Sequence, residues 1–174
     1  MIDNMIFIFA VDKNWGIGYK GDLLYKISED LKRFRRLTTG NIIIMGRKTL
    51  ESLPDQKSLP DRINIVLTRE KNYKAEDVHV VNSLDELFSL IEELNPNNAM
   101  DNYVIGGGNI GKQLLPYSNK AYITKIDKAF VEADTTLPNL DNDNDWTILE
   151  ESETYMQENV RYKYVDYIRV SQNY

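Results

Sequence analysis

Apolar residues run almost unbroken from Met5 to Val11, and the run stops at the polar, glycine-containing stretch Asp12 to Gly21. That is strand length, so a buried strand followed by a long loop is predicted. The spacing then changes. Ile27, Leu31 and Phe34 recur at i, i+4 and i+7, which lays one apolar face along a helix that starts at Ser28 as N-cap and reaches about Thr38. Asp30 falls on that same face.

Ile42 to Met45 is again fully apolar, Gly46 ends it, and a short helix covers about Arg47 to Ser52. Pro54 to Pro60 reads as a loop, and strands are predicted at Arg62 to Thr68 and at Val78 to Val81. Ser83-Leu84-Asp85-Glu86 is a capping-box pattern that opens a helix through about Leu94, with Leu84, Leu87, Phe88 and Ile91 on one face. Asn95 to Asn102 breaks it. Tyr103 to Ile105 is a strand running into Gly106-Gly107-Gly108, and a helix from Asn109 to about Leu115 ends at Pro116 and Tyr117. Ala121 to Asp127, Trp146 to Glu151 and Val160 to Val170 alternate apolar and polar residues, as antiparallel strands added at a sheet edge would. The run Asp141 to Asp145 reads as a solvated turn. Apolar strands alternating with helices imply an α/β fold on a mainly parallel sheet, and with no repeat or linker a single domain over residues 1–174 is expected.

Composition narrows the chemistry. The 174 residues contain no cysteine and one histidine, which removes disulfides, thiolate nucleophiles and Cys- or His-pair metal sites. No metal is expected. A net charge of -6 argues against nucleic acid or an anionic membrane as partner. Met1 to Asn4 has no basic segment leading into a long apolar stretch, and the longest apolar runs are far too short to span a bilayer. A cytoplasmic location is expected. His79, in the run Val78 to Val81, is treated as a structural or edge residue.

Three strand ends carry groups suited to anions. Gly106-Gly107-Gly108-Asn109-Ile110-Gly111 fits G-x-G-x-x-G at a strand-to-helix turn, where free N–H groups favour a phosphate; the same spacing also serves a tight turn with no ligand. Gly46-Arg47-Lys48-Thr49 puts two cations at a helix start, a conflict with the helix dipole unless an anion binds there. Leu67-Thr68-Arg69 repeats the arrangement. Together they fit a dinucleotide with a 2′-phosphate at the carboxyl edge of a parallel sheet, against the plainer reading of Arg47 and Arg69 as surface charges. Asp30 is either a first-turn acid beside Glu29 or a buried carboxylate that pairs with a protonated or amidine-like heterocycle. Arg62, after a proline loop, could grip a ligand carboxylate with both nitrogens.

In order along the chain, these pieces resemble the dihydrofolate reductase family from about Met5 to Val170: Ile17-Gly18, Asp30 with Leu31 and Phe34, Ile43 to Thr49 with Glu51-Ser52-Leu53, Leu59-Pro60 with Arg62, Val104 to Gly108, Thr124, Asp134-Thr135 and Leu137-Pro138. The resemblance implies a mostly parallel eight-stranded sheet with about four helices and an antiparallel C-terminal edge. It implies reduction of 7,8-dihydrofolate to tetrahydrofolate by NADPH, in a monomer that also takes folate-like inhibitors. Asp30 would hold the pterin and favour N5 protonation, Thr124 would reach Asp30, and Leu23 would cap the nicotinamide. Ile8, Phe9, Ala10, Leu31, Phe34, Leu53, Leu59, Arg62 and Ile105 would bind substrate. Ala10, Ile17, Gly18, Gly46, Arg47, Lys48, Thr49, Leu67, Thr68, Arg69, Ile105, Gly107, Gly108, Asn109 and Ile110 would bind the cofactor.

This chain departs from the family pattern at Leu24-Tyr25 (usually Pro-Trp), Gly111 (often tyrosine), Phe9 (often a small aliphatic residue) and Asn109 (often a cation). Lys57 is a further candidate for the glutamyl tail. Two alternatives share the sheet: a riboflavin-pathway pyrimidine reductase and a non-catalytic nucleotide-binding module.

Overall fold

The computed structural model describes residues 4–19 and 22–170, so the reading of Met1 to Asp3 and of Gly21 lies outside the described residues. Strand β1 (Met5–Val11) is followed by β2 (Gly16–Tyr19) and β3 (Asp22–Leu23), then helix α1 (Ser28–Thr38), β4 (Ile42–Gly46) and α2 (Arg47–Ser52). Next come β5 (Ile63–Leu67), β6 (Val78–Val81), α3 (Leu84–Leu94), β7 (Asn102–Gly106), α4 (Gly108–Leu114) and β8 (Lys120–Ile126). The chain closes with β9 (Thr135–Thr136), β10 (Trp146–Glu151), β11 (Tyr155–Gln157) and β12 (Val160–Arg169).

The main sheet runs β10-β12-β8-β1-β7-β4-β5-β6, and β11 adds to β12 as a ninth strand. From β8 through β6 every pairing is parallel; β12 meets β8, β10 and β11 antiparallel. The eight-stranded expectation holds along the sheet path, and the ninth strand is a three-residue addition. Ala121 to Asp127 is a correction: β8 is an interior strand, parallel to β1 on one side and antiparallel to β12 on the other. Its alternating pattern reflects a sheet with unequal faces rather than a place at the edge.

Alternation along β1 divides the core. Phe7, Phe9 and Val11 pack with Leu114, Leu137 and Tyr167 on one face, while Ile6 and Ile8 join Ile43, Met45 and Leu50 on the other. Ile42, Ile43, Ile44 and Met45 are fully buried, as an unbroken apolar run between two parallel neighbours requires. Each such side chain contributes about 1.5–3 kcal/mol of burial.

The loop expected after Val11 contains order of its own. β2 pairs with β3 and with β9, forming a small antiparallel sheet. The Asp12 carboxylate anchors it, accepting hydrogen bonds from the backbone N–H of Asn14 (2.9 Å), Gly16 (2.8 Å) and Phe130 (3.0 Å).

At α1 the N-cap is Ile27, which offers no side-chain acceptor, and Ser28 is the first helical residue. The Gln157 amide oxygen accepts from the Ser28 N–H at 2.9 Å, so a distant side chain does what the sequence assigned to Ser28. The capping box at α3 is half formed: Ser83 Oγ accepts from Glu86 N at 3.1 Å, whereas the Glu86 carboxylate accepts from Asn82 N. The run 141–145 is also more than a solvated turn, because Asp141 accepts from Lys125 Nζ (2.6 Å) and from the buried Tyr167 hydroxyl (2.7 Å). His79 is exposed on the edge strand β6.

Candidate active site

Parallel strands bring their carboxyl ends to one side of the sheet, and there a cavity of about 1410 Å³ opens. Gly46, Leu67 and Gly106, the last residues of β4, β5 and β7, all line it. This is the place where an open α/β sheet takes its ligand. Every residue proposed above for catalysis, substrate or cofactor lines the cavity except Leu59, Arg62 and the glutamyl-tail candidate Lys57. Leu59 packs against the core cluster beneath Ile8 and Met45, and its backbone is clamped by Asn64. Arg62 stands beside α1, donating from Nη1 to Thr38 Oγ1 (3.1 Å) and from Nε to the Pro60 carbonyl (2.9 Å). Burial, then the neighbouring Arg35, lowers the Arg62 pKa, a strain on a cation that an anionic ligand would relieve.

Asp30 sits in the first turn of α1. Thr124, directly beside Ala10 in the β1–β8 ladder, donates from Oγ1 to Asp30 Oδ1 at 2.6 Å. Thr124 is itself buried, and Ile8, Phe9, Ala10, Leu31 and Phe34 share the cavity wall with the pair. Burial pushes the Asp30 carboxyl up, against the opposing pull of the Thr124 hydrogen bond and of Arg33 one turn on. Arg33 is fixed in turn, with its guanidinium 4.2 Å from the centre of the Tyr164 ring and 3.5 Å from Asp166 Oδ1. The result is an acid biased toward holding its proton, set among apolar groups.

At the other end, backbone replaces side chain. Gly106 has φ +154, a conformation that L side chains rarely adopt, and a Cβ there would press on Thr49 Oγ1 at 3.1 Å. The peptide Gly106–Gly107 is cis. A Cβ on Gly107 would have only Thr49 Oγ1 within 4 Å, at 3.5 Å, so its position is open toward the cavity. Thr49, Thr68, Lys48 and Arg69 add hydroxyls and cations along the same wall. Bare backbone, hydroxyls and cations in one row fit a dinucleotide, with its pyrophosphate at the glycines.

Arg47 is a partial correction. The unfavourable helix-start charge is already met within the protein: Nη1 bonds both Glu51 carboxylate oxygens at 3.0 Å, and Nε lies 3.2 Å from Glu70 Oε1. Glu51 and Glu70 also line the cavity, as do Asp134 and Thr135 of the small sheet. None of the four is among the expected site residues, although Glu51 and Asp134-Thr135 fall in segments that carry the family resemblance. Glu51 could have been found from its i, i+4 spacing to Arg47; Glu70 had no such signal.

The departures at Phe9 and Gly111 prove to be one feature. A Cβ on Gly111 would meet Leu137 Cδ2 at 2.9 Å, Phe7 Cζ at 3.0 Å and Phe9 Cζ at 3.5 Å. The Phe7–Phe9 pair, with ring centroids 4.4 Å apart, occupies the room a side chain at 111 would need. Tyr25 does not line the cavity: its ring stacks on Phe130 with centroids 6.1 Å apart, and its hydroxyl reaches the Gln157 carbonyl at 3.5 Å. Asn109 is exposed and accepts from Gln113. Lys57 is exposed outside the cavity lining.

An α/β fold whose strand-end cavity combines bare glycine backbone, cations and one buried acid fits the class of oxidoreductases that use a dinucleotide. The chain belongs to the dihydrofolate reductase family, whose description "Dihydrofolate reductase" it matches over residues 4–169. It is 40% identical to a dihydrofolate reductase of Staphylococcus haemolyticus over 139 residues, which cover 80% of this chain and 78% of that protein. It is 35% identical to the Bacillus subtilis enzyme over 158 residues, 91% of this chain and 89% of that one. Among solved structures, dihydrofolate reductase from Enterococcus faecalis complexed with NADP(H) and RAB-propyl superposes with a TM-score of 0.83 at 30% identity, covering 96% of each chain.

Proposed function

We propose that one cavity serves both reactants, with the pterin of dihydrofolate against Asp30 and the NADPH pyrophosphate at Gly107 to Ile110. The enzyme is a dihydrofolate reductase, reducing 7,8-dihydrofolate to tetrahydrofolate with NADPH. The observation that carries the residue assignment is the Asp30–Thr124 pair, set in the same cavity as the three strand ends.

NADPH, when bound, supplies the hydride. Burial keeps on Asp30 a proton that can pass to N5, and the carboxylate left behind accepts from the pterin's amino group and ring N–H and so fixes the ring's orientation. Thr124 holds the carboxyl's rotamer. Ile8, Phe9, Ala10, Leu31, Phe34, Leu53 and Ile105 keep water from the reacting face, and Leu23, on β3, covers the nicotinamide side. Arg62, with Leu59 beside it, meets the glutamate end outside the cavity. Arg47, Lys48, Thr68 and Arg69 hold the adenosine 2′-phosphate.

The chain acts as a monomeric cytoplasmic enzyme in one domain, with folate-like inhibitors as further ligands and no nucleic acid or membrane partner. Among the described residues, no helix is long and apolar enough to cross a membrane. NADPH oxidation with dihydrofolate tests the reading against its two alternatives. Turnover of a ribosylamino-pyrimidine phosphate instead would make the chain a pyrimidine reductase. Tight NADPH binding with neither turnover would make it a binding module.

A further inference from the structure

We propose that Glu70 determines cofactor specificity: by engaging Arg47 it weakens the preference of this protein for a 2′-phosphorylated dinucleotide. The inference rests on the reading that Arg47, Thr68 and Arg69 hold the 2′-phosphate.

Arg47 is engaged from two sides. Glu51 is one helical turn along α2 and takes Nη1 with both oxygens at 3.0 Å, while Glu70 arrives from the turn after β5 and takes Nε at 3.2 Å. That turn is pinned. The Glu70 N–H donates to Thr68 Oγ1 (3.2 Å), and the Asn82 side-chain amide donates to the carbonyls of Thr68 (2.9 Å) and Glu70 (3.3 Å). A carboxylate is therefore held beside the two residues, Thr68 and Arg69, that share the 2′-phosphate with Arg47. Among the described residues Arg69 has no ion-pair partner, so it greets an anion without releasing a carboxylate; Arg47 cannot.

Charge decides the direction. A phosphate with charge near -2 must release or tolerate Glu70, whereas a ribose carrying a 2′-hydroxyl can donate to a carboxylate. The Glu70 side chain is 57% exposed, so solvent and salt soften the repulsion and its effect is a graded factor. For one extra negative charge a few ångströms from a doubly charged anion near a protein surface, that factor is about 5–10-fold in affinity.

Calorimetric binding of adenosine 2′,5′-bisphosphate and of 5′-AMP reads this without turnover. Glu70→Gln is expected to tighten the bisphosphate about 5–10-fold and leave 5′-AMP within about twofold, with the gain shrinking as salt is raised. In an Arg47→Gln background the gain from Glu70→Gln should shrink, because the competition for Arg47 is gone and only the direct repulsion of the anion is left. An unchanged Glu70→Gln beside an Arg47→Gln that loses the bisphosphate preference overturns the role of Glu70 and keeps the phosphate site. If neither variant alters that preference, the phosphate lies elsewhere and both readings fall.

Discussion

Thr124 Oγ1 lies 2.6 Å from Asp30 Oδ1, a hydrogen bond that joins the first turn of a helix to the middle of a strand 94 residues later. It is made where β8 lies beside β1, so the acid's orientation depends on the sheet rather than on the helix alone. Thr124→Val keeps the shape and removes the donor. Losing the bond that lowers the Asp30 pKa should raise that pKa further, moving the alkaline limb of the turnover–pH profile to higher pH. Stability should fall by about 1–3 kcal/mol, the cost of an unsatisfied buried acceptor. A profile that does not move would show that Thr124 only packs.

Asp30→Asn removes the acid itself. Turnover at neutral pH should drop roughly 10²-fold or more, with partial recovery in acid where the substrate arrives protonated. Wild-type rates across the pH range would reduce Asp30 to a helix-start residue.

The same substitution should stabilise the ligand-free protein. Because burial raises the folded-state pKa above the ordinary 3.8, the folded protein binds more protons than the unfolded chain between those values, and stability falls as pH rises through that window. Asn carries no such loss. Its melting temperature should exceed wild type by a few degrees at neutral pH, with the difference closing below about pH 3.8. Equal melting at pH 7 would mean that the carboxylate is solvated.

Gly108 supports the small sheet. A Cβ there would collide with Thr135 Cγ2, in the strand that pairs with Gly18. Gly108→Ala should cost about 1–3 kcal/mol of stability by overpacking and weaken NADPH binding, measured by melting and fluorescence titration. Thr135→Ser, which deletes the offending methyl, should rescue both. Failure of the rescue would place the damage in α4 instead.

Arg62 makes no ion pair among the described residues, although burial lowers its pKa. Arg62→Gln should raise the Michaelis constant for dihydrofolate on the order of 10–100-fold and leave that for NADPH within about twofold, as loss of a charge-assisted contact to one ligand would. Equal changes for both would assign Arg62 a structural role beside Thr38.

How far the sequence could be read follows from element length and burial. β1 and β4 are unbroken apolar runs, β5 and β7 are apolar but for Asn64 and Asn102, and the glycines at the ends of β4 and β7 mark where the strands stop, so the sheet and its anion-binding edge are legible. Thr135–Thr136 and Asp22–Leu23 are two-residue strands without periodicity; only partners far along the chain make them strands. Gln157 capping Ser28, and Glu70 meeting Arg47, are contacts between residues of separate elements, invisible to spacing. The site residues legible from family order lie mostly on strands and on α1, α2 and α4, where backbone position fixes the side chain.

The strand order bears on how the chain reaches its fold. β1 is first in sequence, yet its two neighbours are β7 and β8, whose residues begin at 102 and 120. During synthesis Met5 to Val11 therefore waits, apolar and unpaired at both edges, until more than half the chain has been made. Such long-range pairing slows folding and exposes a β-prone segment to association with other nascent chains. A chaperone's greatest benefit should come to chains arrested between β6 and β7, before the first strand has anything to pair with.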